Sequence, residues 1–137
     1  MVEEHERTLA IYRFEKAKDH LLSARVLLDS GKYADSIGRS YYAVFTAIRA
    51  LLALLGKDRK RHSGVIALFN ECFIKKGLLP VECYKILIAA KDSREAADYA
   101  DYVSFGSEEA ESQFVKAKGL VSKVEEYLEA VEVLKRK

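Results

Sequence analysis

Apolar residues recur at steps of three and four along most of this chain, and no stretch alternates with the period of two that a half-buried strand requires. Ile11, Phe14, Ala17, Leu21, Ala24 and Leu28 form the first such series, with Lys16, Lys18, Asp19 and Arg25 between them. The spacing predicts a long amphipathic helix that ends near Ser30–Gly31, where glycine can take the left-handed cap. A second helix is predicted from about Ala34 to Leu55, with Ile37, Tyr41, Val44, Ile48, Leu51 and Leu55 on one face and a stop at Gly56. Beside that face runs a polar stripe of Arg39, Tyr42, Thr46 and Arg49 at three-four-three spacing.

After a charged connection, Ser63 is placed to cap a shorter helix carrying Val65, Ile66, Phe69, Cys72 and Phe73, which closes at Lys75-Lys76-Gly77. Pro80 fits the first turn of a fourth helix, where a missing N–H costs nothing. Its packing face is read as Ile86, Ala89, Ser93, Ala96, Ala100 and Val103, with Arg94, Asp98 and Asp101 on another face. Phe105-Gly106-Ser107 interrupts the pattern. Ser107, followed by Glu108 and Glu109, reads as the cap of a last helix built on Phe114, Ala117, Val121, Val124, Leu128 and Val131. The expected fold is all-α: an antiparallel up-down helical bundle of four long helices plus one short one.

Composition narrows this further. At 137 residues the chain is read as a single domain, 1–137, large enough to bury a core without disulfides or metal. A formal charge of +2 is too small to announce a nucleic-acid binder, so any phosphate contact must come from local clusters such as Lys57-Asp58-Arg59-Lys60-Arg61-His62. That run reads first as solvated surface. Cys72 and Cys83 lack a CxxC partner or a nearby histidine, so neither a metal site nor a cofactor is expected; they read as buried thiols, with a bridge open only if the side chains face each other. The scarcity of Asn, Gln and Met beside abundant Lys and Glu leans toward a thermophilic source. Arg49 and Lys57 bracket the longest apolar run, and a charged amino-terminal segment precedes the first helix. Neither a membrane span nor a secretory leader is expected, and the chain is read as cytoplasmic.

The candidate chemistry lies in two stretches, Arg39-Ser40-Tyr41-Tyr42-Ala43-Val44-Phe45-Thr46-Ala47 and Arg94-Glu95-Ala96-Ala97-Asp98-Tyr99. A guanidinium within a helical bundle needs a carboxylate, a phosphate or a partner chain, because an unpaired buried charge is costly. Arg94 and Asp98 are spaced for an i, i+4 ion pair. Tyr41 and Phe45 read as core, whereas Tyr42 is expected to show its hydroxyl. Of the three histidines, His5 and His20 read as surface residues; His62 adjoins the basic connection at a helix start, where an anion could bind, although a loop and capping role is the simpler reading.

Taken in order, Arg-x-x-Tyr-Tyr-Ala-x-Phe at Arg39, His-Ser-Gly at His62 and Arg-x-x-Ala-Asp-Tyr at Arg94 resemble the small single-domain prokaryotic members of the HEPN domain family. The resemblance implies a bundle that dimerises with its polar helices lining a shared cleft, here Arg39, Tyr42, Thr46, Asp98 and His62. Many members are metal-independent ribonucleases with an arginine followed, after four to six intervening residues, by a histidine. In this chain Arg94 matches the arginine, but Tyr99, Ala100 and Asp101 occupy the histidine positions. Tyrosine titrates far above neutrality and is a poor substitute for an imidazole. The resemblance therefore implies a nucleotide- or RNA-binding homodimer paired with a minimal nucleotidyltransferase in a toxin-antitoxin-like module, with Tyr99 or Tyr102 as the residue such a partner would modify. The alternative is a metal-independent endoribonuclease toxin with an altered site, in which Arg94 acts with Tyr99 or His62.

Overall fold

A computed structural model describes residues 2–99 and 104–135 of the chain. It contains α1 (Glu4–Asp29), α2 (Tyr33–Ala53), α3 (His62–Phe69), which runs on through a π-helical turn (Asn70–Ile74), α4 (Val81–Tyr99) and α5 (Ser107–Ala130). The all-helical expectation of four long elements and one short one holds among the described residues. No helix there is long and apolar enough to cross a membrane.

The α1–α2 turn forms as its sequence suggests. Gly31 takes φ 78°, its N–H reaches the Leu28 carbonyl at 3.1 Å, and Lys32 N–H reaches Leu27 at 2.8 Å. Two helices leaving so tight a turn must lie antiparallel, so α1 covers much of α2. Ser36 then donates its hydroxyl to the Ala24 carbonyl at 2.8 Å inside that interface, tying the hairpin by a buried bond.

α2 is more central than an amphipathic reading allows. Ala43, Val44, Ala47, Ile48, Ala50, Leu51 and Leu52 are all fully buried, and residues so spaced cannot share one face. The helix is packed by α1, α4 and α5 together, and its alanines let those neighbours approach. Leu55, expected on the core face, instead lies beyond the helix end and is 44% exposed.

Three further expectations are corrected, at the starts of α3 and α5 and on the packing face of α4, while the expected end of the third helix at Gly77 holds. Arg61, not Ser63, holds the N-cap position of α3, and no side chain caps it. Gly106 rather than Ser107 holds that position for α5, again without a side-chain cap. The third helix passes through the π-helical turn before Gly77 ends it at φ 71°. On α4 the buried residues are Cys83, Leu87 and Ala90, with Ala96 exposed; Ala100 and Val103 lie outside the described residues. Leu87 outweighs the small-residue stripe because it removes more apolar surface from water. Arg94, four residues beyond Ala90, continues the buried stripe. Cys72 and Cys83 are both buried free thiols.

Candidate functional site

Where α4 crosses α2, the tyrosine pair and Arg94 meet. Tyr41 is fully buried, and Tyr42 beside it is half-buried. Arg94 donates from Nη2 to the Tyr42 hydroxyl at 2.8 Å and from Nε to Asp98 Oδ2 at 2.9 Å. Its guanidinium carbon also stands 5.7 Å from the Tyr41 ring centre and 5.2 Å from that of Tyr42, within cation–π range of both. The side chains of Arg94 and Asp98 are 21% and 39% exposed, so the arginine is clasped on its inner side while its carboxylate partner faces outward.

Two imidazoles flank this arrangement. His62 Nδ1 and the Tyr41 hydroxyl are hydrogen-bonded at 2.7 Å, and the His62 and Phe45 ring centres are 4.2 Å apart. A neutral imidazole offers one donor and one acceptor, so this bond commits Nδ1 and leaves Nε2 for a ligand or a proton. Burial, then the positive charges of Arg94, Lys91 and Arg49, hold His62 below its ordinary pKa. Burial also pushes Tyr41 up to about 12, against the pull of Arg94. On the other side, Arg39 donates from Nη1 to His20 Nδ1 at 3.2 Å, and His20 lies 5.9 Å from the Tyr42 ring centre. Arginine can only donate, so Nδ1 accepts and the His20 proton sits on Nε2. Burial first, then Arg39 and Lys16, depress the His20 pKa against Asp19.

The structure thus brings together Tyr41, Tyr42, Arg94, Asp98, His62, Arg39 and His20. Arg39 is exposed and joins through His20 rather than by touching Arg94; Thr46 lies half-buried farther along the same stripe of α2. Tyr99, the last described residue of α4, has 74% of its surface exposed beside the Arg94–Glu95 groove. Tyr102 lies outside the described residues. His20, expected at the surface, is the member that sequence reasoning missed. Its position could have been found from the hairpin: His20 and Tyr42 lie eleven residues before and after Gly31, so an antiparallel pair folded there sets them opposite each other. Among the described residues no group of three or more His, Cys, Asp or Glu side chains is arranged to hold a metal ion.

A family model for the HEPN domain matches residues 10–127. The chain belongs to the HEPN domain family. A UPF0332 protein of Thermotoga maritima is 32% identical over 126 residues, covering 92% of this chain and 95% of the relative. Another relative, from Methanocaldococcus jannaschii, is named "Putative toxin MJ0142" and is 34% identical over 121 residues, covering 88% of this chain and 82% of its own. A UPF0332 protein of Archaeoglobus fulgidus is 35% identical over 118 residues, with 81% and 94% covered. Arg94, the arginine that the resemblance singles out, contacts Tyr41 and Tyr42 of α2 and Asp98 of its own helix.

Proposed function

We propose that this HEPN protein binds nucleotides or RNA, as the homodimeric partner of a minimal nucleotidyltransferase in a toxin-antitoxin-like module, and that binding rather than cleavage is its main activity. The observation that carries this reading is the engagement of Arg94. Its guanidinium is held by Tyr42 and Asp98, and no described histidine stands on its helix to pass a ribose proton. A clasped arginine facing a replaceable carboxylate suits recognition of a phosphate. The toxin name of a relative that covers most of the chain supports a place in such a module. Tyr99, exposed five residues after Arg94, is the accessible hydroxyl that a nucleotidyltransferase partner would modify.

Co-expression with a minimal nucleotidyltransferase, followed by co-purification, sizing and intact-mass measurement, tests the partnership. The expected result is a joint complex and a nucleotide adduct that Tyr99→Phe abolishes. A chain that stays monomeric, unmodified and unbound beside a demonstrably active nucleotidyltransferase refutes it.

One observation favours the second reading, an endoribonuclease. His62 shares the Tyr41 cluster with Arg94, has its pKa lowered there by burial and by the nearby cations, and bonds Tyr41 through Nδ1, so Nε2 is the nitrogen that would act as a general base. Single-stranded RNA incubated with the purified protein, His62→Ala and Arg94→Lys separates the two. Cleavage lost in both variants supports the nuclease, and cleavage equal in all three marks a contaminant.

A further inference from the structure

Beyond His62 the stripe of α2 opens onto a groove of different character from the Arg94 cluster. Its walls are Phe45, Arg49, Asp58, Arg59, Lys60 and His62. The connection that supplies half of them is built rather than freely solvated. Gly56 turns at φ 64° with the Glu6 carboxylate against it. Asp58 Oδ2 receives Arg13 at 3.2 Å and Arg49 at 2.9 Å, while Oδ1 accepts the Arg59 backbone N–H at 2.8 Å. Burial alone would raise this carboxyl, but the bonds from Arg49 and Arg59 and the charges of Arg49 and Arg13 outweigh it and keep it ionised.

One carboxylate therefore fixes the loop from α1, from α2 and from within, and it leaves positive charge over. Among the described residues the Arg59 guanidinium bonds only the neutral Asp58 carbonyl, at 2.7 Å, and Lys60 has no ion pair. Arg49 Nε is buried without an acceptor among the described residues. Next to these cations the groove is lined by the half-buried His62 ring, whose centre lies 4.2 Å from that of the buried Phe45 ring behind it. Excess guanidinium and ammonium charge beside a π surface matches a phosphate that carries a base.

We propose that this groove is a phosphate-and-base subsite: Arg49, Arg59 and Lys60 take the phosphate oxygens, a base packs against the Phe45–His62 pair, and Asp58 is the residue that positions the cations. The assignment rests on the nucleotide- or RNA-binding reading and adds to it a contact separate from Arg94. A free mononucleotide and an internal phosphodiester share this chemistry.

The test uses fluorescence anisotropy of the full chain with a labelled short single-stranded oligoribonucleotide, with AMP and inorganic phosphate as competitors. Lys60→Ala and Arg59→Ala should each weaken binding about three- to tenfold and lower the salt slope by about one. Asp58→Asn decides the mechanism by its sign. It raises the net charge, so a merely diffuse positive surface would bind more tightly, whereas a positioned site binds more weakly. Competition by AMP assigns a mononucleotide, and competition by unlabelled oligonucleotide alone assigns a strand; either supports the subsite. Tighter binding by Asp58→Asn, or AMP competing no better than phosphate when it does compete, overturns it. If Arg94→Lys weakens binding while Arg59→Ala and Lys60→Ala bind as wild type, the subsite falls and the broader reading stands. Wild-type protein that binds neither probe overturns both.

Discussion

Replacing Arg94 by alanine removes several contacts at once, and their sizes can be set out from the geometry. The hydrogen bond to Tyr42 is charge-assisted and half-buried, worth about 1–2 kcal/mol. The two tyrosine rings below the guanidinium contribute about 0.5–1 kcal/mol each. The Asp98 pair is partly exposed, an i, i+4 helix pair, and adds only about 0.3–0.5 kcal/mol. These contacts share one group and are not additive, so the expected loss for Arg94→Ala is about 2–3 kcal/mol. Urea unfolding followed by circular dichroism, at fixed protein concentration, should show a lower midpoint with an unchanged slope. Tyr42→Phe in the same background completes a double-mutant cycle with a coupling of about 1 kcal/mol. Arg94→Lys keeps the charge but loses the fork and should fall between the two. A loss below about 0.5 kcal/mol with no coupling to Tyr42 would mean that Arg94 is not clasped, and the argument for a preorganised arginine would fail.

The remaining expectations are smaller and local. Gly56→Ala places a Cβ 2.5 Å from Glu6 Oε2 at a left-handed φ, and a thermal melt should show a loss of about 1 kcal/mol or more. Glu132 ends α5 at φ 63° with its carbonyl held by Arg7 at 2.7 Å; Glu132→Gly keeps that bond, relieves the backbone and should gain about 0.5–1 kcal/mol in the same melt. The depressed pKa values of His20 and His62 mean that the unfolded chain binds more protons as the solution is acidified. Stability is therefore full above the unfolded histidine value near about 6.5 and declines as pH falls below it, a slope in urea midpoints that His20→Gln with His62→Gln should flatten. Asp98→Asn removes the carboxylate that competes for Arg94, so oligoribonucleotide binding should tighten in an anisotropy titration; unchanged affinity would place Arg94 outside the ligand's reach.

Much of the fold was readable because the three-four spacing of α1 and α5 is clean and Gly31, Gly56 and Gly77 mark real left-handed turns. α4 was harder. Cys83–Leu87–Ala90 and Ile86–Ala89–Ser93 both have helical spacing, so periodicity alone does not choose between them, and the first leads on to an arginine. In the folded chain that arginine is no interruption, because its head group meets Tyr41 and Tyr42 across the interface. Asp58 was hidden for a different reason. Read along the sequence it is one acid in a basic run, and its two guanidinium partners come from α1 and α2. Arg13 and Arg49 lie eighteen residues before and after Gly31, so the hairpin that sets His20 opposite Tyr42 also delivers this pair.

The same hairpin explains why the polar stripe of α2 is divided between two environments. Near its start, Arg39 meets His20 at a neutral nitrogen, and near its end Arg49 meets Asp58, an anion already shared with Arg13. Between them Arg94 is the cation on α4 held against aromatic rings, with an exposed carboxylate as its one ion-pair partner among the described residues. Exchanging Asp98 for a phosphate would cost little, since an exposed pair of this kind is worth only about 0.3–0.5 kcal/mol, while the Tyr42 bond and the two rings would keep the guanidinium in place. An arginine fixed by neutral groups and lightly held by its counterion suits an anion that arrives and leaves. Proton transfer near neutral pH is best served by an imidazole beside the arginine as well, and among the described residues His62 is joined to Arg94 through the Tyr41 side chain that both contact.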